Sequence, residues 1–251
     1  MIVFYTCITG QYSFVPDITD QKIEGMKYVL FHENHREAVE GKGWDYILIP
    51  EMKINTQARQ RKVKMLPHVY LPEAEYTIYL DPSYYLHKSF YQRCLELIKT
   101  KPNFITTHDK STNKTVTQEA LYAFNRGTLT YQDLINVRIN IKDYFYSSNN
   151  CWLVRNNNST VNKINEDWWN LYEKCYTRYG RDQLLLPSVC EESFIDWYDL
   201  DKELHNKCYV YRYDDSPAHG NEIEKNISQL DIINLFKDIR NSENIFLRRN
   251  S

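Results

Sequence analysis

The chain has 251 residues, with 31 basic and 33 acidic side chains and a formal net charge of −2. Hydrophobic residues make up 42% and charged residues 25%, the balance of a globular protein, so wholesale disorder is excluded. The near-neutral charge argues against non-specific nucleic-acid binding, and the longest apolar runs, Ile47 to Pro50 and Leu184 to Pro187, fall far short of a membrane span.

Met1-Ile-Val-Phe-Tyr reads as a first strand, without the basic start and small-residue cleavage site of a signal peptide, so a soluble, cytoplasmic protein is expected. Cys7, Cys94, Cys151, Cys175, Cys190 and Cys208 are too scattered for zinc or redox motifs and read as buried thiols. Ile2 to Ile8 is a β-rich run ending in Thr9-Gly10. Lys27–Phe31 and Trp44–Ile49 are two further short strands, joined by a polar loop or short helix. Gln57–Met65 is a basic helix that Pro67 stops, and Glu75–Leu80 is a strand that breaks at Asp81-Pro82. Ser89–Thr100 is an amphipathic helix capped by Ser89, and Asn103–Thr107 another strand. Thr117–Asn140 reads as one or two helices broken near Gly127, and Asn150–Arg155 as a strand. Asn165–Tyr179 carries the apolar stripe of a helix that Gly180 ends as a C′ glycine. A second helix runs from Gln183 to Cys190, and a packing helix is expected within 223–246. Strands alternating with helices indicate a largely parallel α/β sheet in a single domain, 1–251. Ligands then sit beyond the carboxyl ends of the strands, near Thr9-Gly10, His32-Glu33-Asn34, Asp81 and Thr107-His108-Asp109.

Asp81 is delivered to that edge by an apolar strand, where a carboxylate suits a divalent cation or closes an ordinary Asx-turn. In the basic cluster Arg59, Arg61, Lys62 and Lys64, Arg59 and Lys62 or Lys64 lie at helical spacings, so part of it shares a face that clamps phosphate oxygens or is simply solvated. Arg181-Asp182-Gln183 sits at a helix start, where Asp182 is a functional carboxylate or simply an N-cap. His219, in a turn, is a metal ligand or an idle surface histidine. Trp168-Trp169 reads as core before sugar platform. No P-loop, G-x-G-x-x-G, G-x-S-x-G or H-E-x-x-H occurs.

Taken in order, the motifs resemble those of the TOD/MUCI glycosyltransferase-like family. They are Tyr5-Thr6 with Gly10-x-Tyr12, KYVLFHEN at 27–34, ARQRKVKMLPH at 58–68 and YTIYLDPSY at 76–84. His108, Gln118-Glu119-Ala120, CWLVRN at 151–156 and NEDWWNLYEKCYTRYGRDQLLLPSV at 165–189 follow. The resemblance spans residues 2 to about 190, leaving 191–251 as a C-terminal extension. It implies a GT-A-like (Rossmann-like) fold with a mixed, largely parallel sheet flanked by helices. It also implies a glycosyltransferase that moves a sugar from a nucleoside-diphosphate donor to a glycan or glycoprotein acceptor. Neither nucleic acid nor a membrane span is expected.

By the same resemblance, Asp81 would hold Mn²⁺ or Mg²⁺ on the donor diphosphate, with Ser83 where a second carboxylate would stand and His219 as a further ligand. A single carboxylate and a hydroxyl bind a divalent ion less tightly. Arg61 and Lys64, with Arg59 in reserve, would meet the phosphates, and Thr6, His68 and Ser83 belong to the same donor-side set. Asp182, flanked by Arg181 and Gln183, would stand at the reaction centre as a base or as an orienting group. The rival reading is a catalytically silent glycan- or nucleotide-binding scaffold. A lipid amide hydrolase, suggested for a plant relative, finds no nucleophile–base pair in this sequence.

Overall fold

A computed structural model of the chain describes residues 1–10, 15–33, 42–82, 84–86, 88–100, 105–108, 115–141, 149–176, 180–192, 197–199 and 210–212. Ser83, His219, Tyr12, Cys208, the loop at 34–41 and the expected packing helix at 223–246 lie outside the described residues.

In the first half three strands come before the first α-helix: β1 (Ile2–Ile8), β2 (Met26–His32), β3 (Asp45–Leu48), α1 (Thr56–Met65), α2 (Pro67–Tyr70), β4 (Tyr76–Leu80), β5 (Tyr84–Leu86), α3 (Lys88–Thr100) and β6 (Ile105–His108). Then come α4 (Val116–Asn125), α5 (Tyr131–Asn140), β7 (Asn149–Asn156), α6 (Ser159–Cys175), a 3₁₀ turn at Asp182–Leu184, α7 (Leu186–Glu192), β8 (Trp197–Asp199) and β9 (Val210–Arg212). Seven strands form one sheet in the order β3-β2-β1-β4-β7-β6-β8, and β5 pairs with β9 apart from it. Within the large sheet β7 alone runs against its neighbours β4 and β6; the other pairings are parallel. This is the mixed, largely parallel sheet that a GT-A-like fold implies.

The period-two alternation of strand side chains sorts the core into two layers. Val3, Tyr5, Cys7, Val29, Phe31, Tyr79 and Leu153 face the side covered by α1, α4, α5, α6 and α7. Phe4, Ile8, Tyr28, Leu30, Ile78, Leu80, Trp152 and Val154 face the side where α3 packs through Tyr91, Cys94 and Leu97. Helices therefore cover both faces, as parallel sheets require. Trp168 and Trp169 are buried in the first layer, the core reading of that pair. The described cysteines, Cys7, Cys94, Cys151, Cys175 and Cys190, are all buried. Among the described residues no helix is long and apolar enough to cross a membrane.

Several boundaries depart from the sequence reading. Ser89 lies inside α3 and does not cap it. The helix expected from Asn165 starts at Ser159, where the Asn158 side chain accepts from the Val161 amide and caps it. It ends at Cys175, and Gly180 is not a C′ glycine, because its φ is not positive. Gly180 instead admits the Tyr176 ring: a Cβ there would lie 2.1 Å from a ring carbon. The second helix is split into a 3₁₀ turn and α7, so Asp182 caps neither: the turn has Arg181 at its N-cap, and α7 begins four residues on. Three short strands, β5, β8 and β9, were not expected, and β8 extends the large sheet beyond residue 190.

Candidate active site

The carboxyl ends of β1, β2 and β4 open onto one edge, and α1 runs back from it along the first core layer. Asn55 caps α1 by accepting the Ala58 amide, while at its far end Lys62 and Lys64 complement the helix dipole. The last turn is fixed from below. Arg155 on β7 is fully buried and donates to the carbonyls of Lys64 (2.7 Å) and Met65 (3.4 Å), to the Tyr5 hydroxyl (2.5 Å) and to Asn165 Oδ1 (2.9 Å). The Tyr5 hydroxyl itself donates to the Lys64 carbonyl at 2.9 Å. An arginine fork spread over four acceptors leaves the end of α1 little freedom.

That anchoring aims Lys64 at two carboxylates. Its Nζ lies 2.8 Å from Asp182 Oδ2 and 3.4 Å from Asp81 Oδ1. The shorter contact is a buried ion pair. Arg61 Nε lies 3.3 Å from Asp182 Oδ1, and Asp81 Oδ1 also accepts the Tyr79 hydroxyl at 2.7 Å. Two carboxylates and two cations from α1, the end of β4 and the 3₁₀ turn thus form one cluster. It is graded in depth: the Lys64 and Asp182 side chains are 1% and 3% exposed, those of Arg61 and Asp81 22% and 25%. Lys64 and Asp182 are the floor; Arg61 and Asp81 are the groups a ligand would meet.

Burial alone would raise the Asp182 carboxyl, but the charges of Arg61 and then Lys64 outweigh it and hold the group below its ordinary value. Burial likewise disfavours the charged Arg61, yet Asp182 and Asp81 overcome it and keep the guanidinium firmly protonated. The Trp168 indole N–H reaches the Asp182 carbonyl at 3.2 Å and the Tyr176 hydroxyl the Arg181 carbonyl at 2.8 Å, which pin the 3₁₀ turn to α6.

The other expected site residues lie apart from this cluster. Thr6 is buried and donates to the Leu80 carbonyl at 2.6 Å. It lines a separate small cleft with Phe4, Ile18, Trp44, Leu80 and Pro82 that also touches Asp81. Arg59 pairs with Glu33 at 2.9 Å, and the second Glu33 oxygen accepts the Gly10 amide at 2.9 Å. Arg181 donates to Gln183 Oε1 at 3.0 Å and lies 3.6 Å from Glu119. His68 Nε2 lies 3.5 Å from Glu166.

Sequence reasoning assigned no role to four residues in or beside this cluster. Tyr79 precedes Asp81 by two residues, so strand alternation alone places both on one face. Glu33 was visible only as a strand end, and Arg155 only as part of CWLVRN. Asn150 is fully buried at the start of β7, beside the Cys151 carbonyl that accepts the Asp81 amide, and its amide atoms find no hydrogen-bond partner among the described residues. No local signal marks such an asparagine.

The described donor set does not fit a resident divalent ion. No three His, Cys, Asp or Glu side chains converge among the described residues, and the space between Asp81 and Asp182 holds the Lys64 ammonium.

No protein-family model and no curated protein matches the sequence. Among solved structures, the chain is similar to the galactosyltransferase LgtC in complex with donor and acceptor sugar analogues. The identity there is 15% and the TM-score 0.42, over 75% of this chain and 69% of that one. It is also similar to core-mannan synthase A from Aspergillus fumigatus in its Mn/GDP form, at 8% identity and a TM-score of 0.44, over 78% and 72% of the two chains. The apo bifunctional glycosyltransferase WbbM matches at 7% identity and a TM-score of 0.47, over 79% of this chain but only 38% of its own length.

Proposed function

We propose that this chain is a glycosyltransferase that takes a sugar from a nucleoside-diphosphate donor and passes it to a glycan or glycoprotein acceptor at the edge marked by Asp81. The observation that carries this reading is the Arg61–Asp182–Lys64–Asp81 cluster. Residues distant in sequence, all singled out by the motif order, meet at the carboxyl end of parallel strands, where α/β sheets bind ligands.

The chemistry follows from charge. Cleaving the sugar–phosphate bond leaves an electron-poor sugar carbon and a departing diphosphate. Arg61, partly exposed and held protonated, is placed to meet the diphosphate. Asp182, held below its ordinary value by Arg61 and Lys64 despite its burial, is ionised at neutral pH. Its role in this reading is to hold and orient the two cations from the floor of the site. The described donors do not fit Mn²⁺ or Mg²⁺, so this reading routes no charge neutralisation through a metal at Asp81; Ser83 and His219 lie outside the described residues.

A binding module without turnover is the second reading. It is favoured by the pairing of each of Arg59, Arg61, Lys64 and Arg181 with a carboxylate, which leaves the edge close to neutral. Nucleoside-diphosphate release from a panel of nucleotide sugars, with and without Mn²⁺, separates the two. A transferase releases diphosphate from one donor, and Asp182→Asn slows that release by roughly 100-fold or more. Tight donor binding with no release from any donor would favour the silent module.

A further inference from the structure

Resting on the diphosphate reading above, we propose that the Lys64 ammonium is the resident cation of this site, standing between Asp81 and Asp182 where a divalent ion would bridge them, so that a diphosphate binds without added metal. A bridging Mg²⁺ or Mn²⁺ needs oxygens at about 2.0–2.2 Å on both sides. Here the ammonium already lies 2.8 and 3.4 Å from one oxygen of each carboxylate. It is not a side chain that happens to swing into the gap. Lys64 is 1% exposed, and its own carbonyl is gripped by Arg155 and the Tyr5 hydroxyl at 2.7 and 2.9 Å. Its ammonium also stands 5.0 Å from the centre of the Tyr79 ring, whose hydroxyl holds the same Asp81 oxygen.

The charge balance gives this arrangement its purpose. Asp81 and Asp182 carry two negative charges, and Arg61 supplies one positive charge toward the opening. Without Lys64 the cluster would be net negative and would repel a diphosphate. With Lys64 the floor is compensated, and the partly exposed Arg61 is left to act on the incoming anion. A divalent ion in the same gap would also offset the two carboxylates, with one more positive charge, so the lysine and the metal are alternatives at one position.

The test uses the full chain and inorganic pyrophosphate as the probe, followed by titration calorimetry in EDTA and again in excess Mn²⁺, together with Mn²⁺ titrated alone. The expected result for the unaltered chain is pyrophosphate binding of equal strength with and without Mn²⁺, and no Mn²⁺ uptake in its absence. Lys64→Ala should lose about tenfold or more of its pyrophosphate affinity in EDTA, gain a Mn²⁺ site, and recover pyrophosphate binding when Mn²⁺ fills it. Binding by the unaltered chain only when Mn²⁺ is present would overturn the resident-cation assignment while leaving the diphosphate reading intact. Failure to bind pyrophosphate or any nucleoside diphosphate under either condition would overturn both. Should Lys64→Ala not fold, the arms on the unaltered chain decide the question alone, and Lys64→Arg supplies a variant that keeps the charge.

Discussion

Asp182 shows how much a single residue's chemistry depends on where its chain neighbours are not. The run Gly-Arg-Asp-Gln reads locally as a helix cap as readily as a functional carboxylate, and the adjacent residues do not decide between the two. Its partners Arg61 and Lys64 lie on a helix far upstream, so only the folded chain reveals them. The consequence is measurable. The folded carboxyl titrates below its ordinary value of 3.8, so the unfolded chain binds the proton more readily. The stability Asp182 contributes is therefore complete above that ordinary value and lost as pH falls through the lower folded value. In urea titrations Asp182→Asn should cost about 3 kcal/mol at pH 7, since it leaves Lys64 buried beside a neutral group, and the gap from the unaltered chain should narrow below about pH 4. A gap independent of pH would contradict the ion-pair account. Arg155 is the second such residue. Arg155→Met strips its donors from the carbonyls of Lys64 and Met65, the Tyr5 hydroxyl and Asn165, at a cost on the order of 3 kcal/mol by chemical denaturation. Arg155→Lys should recover little, because an ammonium lacks the fork that spans them.

Elements were legible where local rules act alone. The strands β1, β2 and β4 and the helix α1 fall within a residue or two of their expected ends, because β-rich runs bounded by turn residues and a run of helix formers stopped by Pro67 are both written in adjacent residues. The split of the polar stretch into α4 and α5 follows from Gly127, which has a φ of 68°, and from Thr130, whose side chain accepts the Asp133 amide in a capping box. Thr130→Ala should cost about 1 kcal/mol in thermal or urea unfolding; no change would remove the box from the account. Legibility fails where a glycine or an asparagine serves a tertiary contact. Gly180 was read as a helix stop by its place in the sequence, yet its lack of a side chain serves the Tyr176 ring packed against it. Asn158 was one asparagine among several, and its cap on α6 became plain only once the helix was found to begin at Ser159.

At the scale of the whole molecule, the sheet decides which candidate residues meet. Register pairs Tyr5 with Tyr79, so alternation sends Thr6 toward Phe4 and Leu80, away from the α1 face on which Asp81 meets Lys64. The sequence displays both residues at strand positions, but the strand pairing that separates them is a long-range fact. The motif order singles out the basic helix, Asp81 and Asp182, and the fold brings those together while leaving Arg59 with Glu33 and His68 with Glu166. What remained hidden is the closed pairing of the charges, since an ion pair between distant elements leaves no trace in either one. The central claim is that this paired edge recognises a nucleoside diphosphate, and its most direct test is thermal unfolding of the full chain against a panel of nucleoside diphosphates and nucleotide sugars. A ligand present at 100 times its dissociation constant should add about 2.7 kcal/mol, a rise in melting temperature of roughly 5 °C for a chain of this size. The account predicts such a rise for one nucleotide and its loss in Arg61→Met. No rise with any nucleotide, or a rise that survives Arg61→Met unchanged, would contradict it.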